Sequence, residues 1–283
     1  MKTYIIKPAL LLSVMFFFNS NIFPQGSVNL QYNLPQGKTY LYKTDMDNSI
    51  TQEMMGQEIK ILNNIHSITR VVIDSITENG NMNVLVSADS AIVHNVMQGK
   101  DTTMSLNSLI GKRSKIVVSK FGEIISKGML DSLDSNAGMM GASILQGASN
   151  LYMKLPGKEI KEGDSWTSTK VDTVESMGGK IVINSDYTFT LGNKEDKNGI
   201  SCYKIPYAST IASKGKATMQ GFEFFIEGNG KMTGNLYLSA DNGALVSNES
   251  KNENEMTLAA TGQQNMVIPI TQSSTSTTEL ISK

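Results

Sequence analysis

Apolar and polar residues alternate along most of this chain, in short runs separated by turn residues. Thr39–Met46 alternates in part, and Ile59-Lys-Ile61 and Ile65–Ile76 are rich in β-branched residues. Glu78-Asn-Gly80 then marks a hairpin into Met82–Val86. Ser114–Ser119, Phe121-Gly122 and Ile124-Ile125 give a strand, a tight turn and a strand. The same order returns as Lys180–Ile183, Tyr187–Leu191, the turn Lys197-Asn-Gly199 and Ser201–Pro206. Gly234–Ser239 follows, turning at Asp241-Asn-Gly243 into Ala244–Ser247. Asn-Gly supplies the positive φ of a two-residue hairpin, so strands joined this way are antiparallel. Glu255–Ala260 and Met266–Ile281 predict a last hairpin turning near Gly262. The Thr-rich stretch 271–278 reads as strand, because Thr favours extended backbone.

Between these runs, residues 127–154 change character. Met129, Leu130 and Leu133 suggest a short helix. Ile144, Ala148, Leu151 and Leu155, with Leu145 and Tyr152, fit the helical i, i+3/i+4 pattern of a second. Gly138-Met-Met-Gly141 separates the two.

Five landmarks recur in order at offsets of 119–122 residues. Leu34-Pro35 returns as Leu155-Pro156, Met55-Gly56 as Met177-Gly178, and Asn79-Gly80 as Asn198-Gly199. Met97-Gln98-Gly99 returns as Met219-Gln220-Gly221, and the Gly122–Ser126 segment as Gly243–Ser247. Such spacing points to a duplicated unit. The expected organisation is a leader over 1–25 and one β-rich domain over 26–283. Within the domain lie repeat one (34–126), a helical linker (127–154), repeat two (155–247) and a C-terminal hairpin (248–283). The fold class expected is mainly β: a curved, half-barrel-like antiparallel sheet built from two repeats, with the helical insert against its concave side.

The leader follows from Lys2 and Lys7 ahead of an apolar run, Ala9–Phe18, too short to span a bilayer. A cut after Gln25 is expected, and no Cys near it forms a lipobox. The protein is therefore expected to be periplasmic or secreted, and not integral to a membrane. Without Lys2 and Lys7 the chain has 23 basic and 26 acidic residues, with no basic patch to attract nucleic acid. The single Cys202 lies in an apolar run and reads as a core residue.

No catalytic constellation survives inspection. His66 and His94 are the only histidines and lack a second ligand at metal spacing, so no metal or cofactor is expected. Gly163-Asp-Ser165 would need a downstream base, and no His follows residue 94. Asp196-Lys-Asn-Gly199 is a calcium-loop fragment without its closing Glu, and reads as a hairpin turn. Met is abundant, with 15 of 17 beyond the leader. Flexible thioethers fill irregular cores and line adaptable apolar pockets. Met139, Met140, Ile144, Leu145, Ala148 and Leu151 are the candidate ligand-lining residues.

Leu34-Pro35-Gln-Gly37-Lys38-Thr-Tyr40 and Leu155-Pro156, with Ile160-Lys-Glu-Gly163-Asp-Ser-Trp166, resemble motifs of a family of uncharacterised exported bacterial proteins. Gly228-Asn-Gly230, the strand to Ser239 and Asp241-Asn-Gly243 are similar to a segment of the periplasmic lipoprotein-localisation carriers and their lipid-binding relatives. That resemblance implies a half-barrel whose apolar concave face, covered by helices, binds acyl chains. The expected function is non-enzymatic binding of a hydrophobic or lipid-like ligand in the bacterial envelope. The alternative is a structural or protein-interaction module of the periplasm or cell surface, with an envelope protein as partner.

Overall fold

A computed structural model describes residues 26–54, 56–133, 138–176, 179–219, 222–260 and 266–282. The expected leader, 1–25, lies outside the described residues. In chain order the elements are β1 (Val28–Asn29), β2 (Thr39–Met54), β3 (Gln57–Ile76), β4 (Met82–Met97), β5 (Lys100–Ser105), β6 (Arg113–Val118) and β7 (Ile124–Met129). Helix α1 (Gly138–Gly147) and a 3-10 turn (Ala148–Leu151) follow. Then come β8 (Glu159–Ile160), β9 (Ser165–Ser176), β10 (Gly179–Thr190), β11 (Lys194–Lys197), β12 (Ile200–Met219), β13 (Phe222–Ser239), β14 (Leu245–Ala260) and β15 (Met266–Ser282).

Among the described residues, thirteen of these strands form one antiparallel sheet. Its main path runs β7-β6-β4-β3-β2-β15-β14-β13-β12-β10-β9, while β5 pairs with β4, and β11 with β12. Laid flat at about 4.8 Å per strand, its two edges would stand roughly 48 Å apart. Instead Lys127 Nζ on β7 lies 2.6 Å from Asp172 Oδ1 on β9. The sheet therefore curls until its edges meet. No backbone pairing joins β7 to β9 among the described residues, so it is not closed.

The main core sits inside one end of this curl. Tyr40, Val71, Val84, Ile116, Phe189, Ile205 and Leu236 converge there from seven different strands, and Leu145 enters it from α1. The chain entering β2 ties that end together. Tyr32 N–H donates to Lys120 O (2.8 Å) and Asn33 N–H to Asn242 O (2.9 Å). The Tyr32 hydroxyl donates to Met153 O (3.1 Å) and accepts from Met153 N–H (2.9 Å). Gly122 has φ +80°, and a Cβ there would stand 2.1 Å from Met153 O, so only glycine fits under this crossing.

Turn chemistry matches the reading of the hairpins. Asn198 and Gly199 both have positive φ between the paired Lys197 and Ile200, and Asp196 Oδ1 accepts from Gly199 N–H (2.9 Å). Met97 and Lys100 flank Gln98-Gly99 in the same way. The Thr-rich stretch is strand throughout, paired with β14 on one side and β2 on the other. The turn expected near Gly262 lies outside the described residues. Proline falls where a missing N–H is tolerated: β15 pairs with β2 only from Ile270 onward, which leaves one side of Pro269 without a partner.

Two expectations are corrected. Met129 is not helical: it pairs with Ser114 as the end of β7, and Leu130 beyond it is half exposed. The hydrogen-bonding edge of β6 overrides a weak helical pattern at this place. Gly138-Met-Met-Gly141 is not a linker between helices but the first turn of α1.

Candidate functional site

Alternation along each long strand sets the residues that face into the curl. The buried core residues mark this inner set, and strand register carries it outward. One register row runs Met232–Asn252–Ser274–Asn48–Asn63–Asn95 across β13, β14, β15, β2, β3 and β4. The next runs Gly230–Asn254–Gln272–Ile50–Ile61. On the core side lie Ser250, Ser276, Asn248, Thr278 and Thr44. These rows hold a belt of neutral polar side chains centred on β14 and β15, with Met232, Met46, Ile65, Ile50 and Ile61 at its borders. Beyond it, at the far end of the strands, the inner set is mainly apolar again: Met256, Leu258, Ile226, Ile268, Ile270 and Ile59, with Gln52 between the last two. Phe224, Ala260 and Ile268 form a separate buried cluster there, with Leu258, Met266 and Ile270 against it.

Within the belt, Gln272 Nε2 donates to Asn48 Oδ1 (2.9 Å) and Asn254 Nδ2 to Gln272 Oε1 (3.5 Å). Nearer the core, the Tyr207 hydroxyl donates to Asn248 Oδ1 (3.1 Å), and the Thr44 and Thr278 hydroxyls lie 3.0 Å apart. Gly230 makes room for its neighbour: a Cβ there would stand 1.8 Å from Asn254 Oδ1. The Oδ1 atoms of Asn252 and Asn254 are buried and have no hydrogen-bond partner among the described residues. A buried carbonyl left unpaired costs free energy, about 1–3 kcal/mol, unless water or a ligand satisfies it.

Charge is sorted to the other face. On β14, Glu249, Lys251, Glu253 and Glu255 alternate with the inner asparagines. Lys214–Glu227, Lys216–Glu223 and Lys251–Glu253 are exposed ion pairs of this outer set. Among the described residues of the long strands, inner charge lies at the seam, where Lys170 and Asp172 alternate with the outward, exposed Val171. Asp172 accepts from both Lys127 (2.6 Å) and Lys170 (3.0 Å), and Lys170 also donates to Asn150 Oδ1 (2.6 Å). Burial pulls the Asp172 carboxyl upward, but the ammonium groups of Lys170 and Lys127 outweigh it and hold it below the usual carboxylate range. Burial lowers Lys170 in turn.

The expected lining residues lie beside the seam. Leu145 is fully buried and its carbonyl accepts from Ser114 Oγ (3.3 Å). Ala148 and Leu151 belong to the main core, and Ile144 packs against it. Met139 and Met140 fall in α1, and their side chains lie outside the described residues. Two cavities are lined by other residues. One, of about 550 Å³, opens beside Val28, Leu191, Lys194 and Tyr203. The other, of about 490 Å³, lies against β9, β10, β12 and β13 and is lined mainly by the outward set, Thr167, Thr169, Asp186, Thr210 and Lys231 among them. Sequence reasoning missed the belt itself. Its signal was polar residues at every second position of strands whose other face is charged.

The residues set aside on sequence grounds occupy structural positions. His66 bonds Asp45 (2.6 Å) and His94 bonds Thr103 (2.9 Å), both on the exposed face. No group of three or more His, Cys, Asp and Glu able to hold a metal occurs among the described residues. Burial pushes the Cys202 thiol up to about 11, which makes it a poor nucleophile. Trp166 is buried on β9, stacked on Phe189 at 5.3 Å, with its Nε1–H donated to Lys154 O (2.9 Å).

No family model and no curated protein matches this chain. Among solved structures it is similar to a protein of YmcC-like fold, taken to be exported, from Bacteroides fragilis. The identity there is 12%, with 89% of this chain and 98% of that chain covered, at a TM-score of 0.23. It is also similar to Pseudomonas aeruginosa OccK2, solved in complex with glucuronate, at 5% identity over 88% of this chain and 100% of that chain, TM-score 0.26. A third is an outer membrane channel from Pseudomonas putida, at 8% identity over 88% and 97%, TM-score 0.22. At these scores the likeness carries no functional argument. No helix of the described residues is long and apolar enough to cross a membrane.

Proposed function

We propose that this is an exported, non-enzymatic protein of the bacterial envelope that holds a hydrophobic, lipid-like ligand inside its curled sheet. The observation that carries the reading is the far apolar zone. Ile59, Met256 and Ile270 belong to the inner face yet stay partly exposed, which leaves apolar surface there for a ligand to cover. Eleven strands on the path also exceed the roughly eight whose side chains alone fill a barrel. Helix α1, with Ile144 and Leu145, and the 3-10 turn after it, with Ala148 and Leu151, close the floor beside the seam. The outer charges favour water outside the curl. A Lys of that face would cost about 2–4 kcal/mol at a bilayer midplane, which argues against a lipid-facing barrel.

The two halves fit a duplicated unit. With the short β5 and β11 set apart, the orders β2-β3-β4-β6-β7 and β9-β10-β12-β13-β14 correspond along the path, which supports the duplication. Each last hairpin carries a register irregularity, near Val117/Val118 in one half and Tyr237/Leu238 in the other. The curl would then arise as two copies sharing one sheet, joined through β15.

The test is displacement of a fluorescent fatty acid from delipidated protein. Saturable binding at micromolar concentration or tighter is expected. Leu258→Asp on the inner face should abolish it, and Thr257→Asp on the outer face should not. The competing reading, an envelope interaction module, is favoured by the outer edge of β9, which has no strand partner among the described residues. Binding of neither fatty acid nor any neutral apolar probe would put that reading ahead.

A further inference from the structure

The polar belt divides the interior into two apolar zones, and a pure hydrocarbon ligand would gain nothing from it. We propose that the belt recognises the head of an amphiphile, and that this head is uncharged and rich in hydroxyl groups. The inference rests on the ligand-binding reading above and specifies its ligand class.

The chemistry of the belt selects for such a head. Its polar side chains are Asn, Gln, Ser and Thr, all neutral. One row of them, Asn252–Ser274–Asn48–Asn63–Asn95, crosses the five strands from β14 to β4, while the rows beside it pass to Ile50 and Ile61 and to Met46 and Ile65 on β2 and β3. The amides of Asn254, Gln272 and Asn48 form a chain of hydrogen bonds. Two acceptors, Asn252 Oδ1 and Asn254 Oδ1, are left buried and without donors. A hydroxyl donates to such an oxygen. A carboxylate or phosphate oxygen can only accept, and would meet these carbonyls as another acceptor. The cations nearest that level, Lys170 and Lys127, are already engaged by Asp172, and Lys170 by Asn150 as well. An anionic head would thus lose its hydration without gaining a free cation. Sugar and glycerol heads share the chemistry that fits.

Three probes with twelve-carbon chains test this: dodecyl maltoside, monolauroylglycerol and laurate, each displacing N-phenyl-1-naphthylamine from delipidated protein below its critical micelle concentration. The neutral heads should displace the dye at concentrations about tenfold below laurate, as two added hydrogen bonds imply. Which neutral probe is stronger tells sugar from glycerol. Equal potency, or a preference for laurate, overturns the assignment, and the latter would point to Lys170 and Lys127 instead. No saturable dye binding at all would overturn both this inference and the reading beneath it. Two variants locate the selectivity. Asn254→Leu removes the acceptor. Gly230→Ala keeps every polar group and displaces the Asn254 amide, since its Cβ would overlap Oδ1. Both should bring the neutral probes to the potency of laurate while leaving laurate unchanged. A neutral-head preference that survives in both places recognition elsewhere and contradicts the role of the belt.

Discussion

Lys127 on β7 and Asp172 on β9 join the first and last strands of one sheet through a 2.6 Å ion pair. It lies within a bond chain that runs Lys127–Asp172–Lys170–Asn150, which also reaches the turn after α1. Removing Asp172 leaves two ammonium groups facing each other at a half-buried seam. Asp172→Asn should therefore destabilise the fold by about 1–3 kcal/mol, with faster amide exchange concentrated in β7 and β9. The exposed pair Lys214–Glu227 is the control, and its removal should leave the melting temperature unchanged. Equal effects at the two places would show the seam to be an ordinary surface contact.

The seam should also respond to acid. The folded-state pKa of Asp172 is depressed, so its contribution is complete above the unfolded value of about 3.9 and is lost as pH falls through the folded one. Stability carried by Asp172 is then flat from pH 7 to about 5 and declines below pH 4. In Asp172→Asn this part of the acid limb should vanish. Identical acid limbs in the two proteins would contradict the linkage.

Trp166 anchors the start of β9 by stacking on Phe189 and by its bond to Lys154 O. Trp166→Ala should cost about 3–5 kcal/mol by chemical denaturation. Trp166→Phe should recover part of that loss, because stacking survives while the Nε1 bond and part of the buried ring are lost. An unchanged denaturation midpoint in the alanine variant would show that the ring does not carry the packing.

Gly122 and Gly199 both have positive φ, but only Gly122 is enclosed. Gly199→Ala should cost about 1 kcal/mol, the strain of a left-handed residue with open space around it. Gly122→Ala must in addition displace the Met153 carbonyl held by Tyr32, so its loss should be clearly larger. Similar melting temperatures for the two variants would mean that the crossing of residues 30–34 over the hairpin is loose.

Much of the strand pattern was legible because its turns are chemically explicit: Asn198-Gly199 and Gly122 sit where only such residues fit. The length of the strands was not. Ile59–Ile61 and Ile65–Ile76 read as two runs because Asn63 and Asn64 interrupt them, yet both belong to β3. Of the run read as Ala244–Ser247, Leu245–Ser247 likewise belongs with Glu255–Ala260 to the continuous β14, joined through Asn248, Asn252 and Asn254. The belt itself thus disguised the strands, since an inward polar residue looks like a break when only apolar alternation is read. The helix signal was readable at Ile144 and Leu145, but α1 ends at Gly147, Ala148–Leu151 tightens into a 3-10 turn, Tyr152 and Leu155 are not helical, and the place of all of them beside the seam was not legible. That place depends on Lys127 meeting Asp172 across 45 residues, which no local pattern encodes.

Titration of a fluorescent fatty acid into delipidated wild-type protein, beside Leu258→Asp and Thr257→Asp, is the most direct test of the interior as a binding chamber. Saturable binding by wild type and Thr257→Asp, with none by folded Leu258→Asp, is the predicted result. Absence of saturable binding by the wild type, or equal binding by all three, would contradict it.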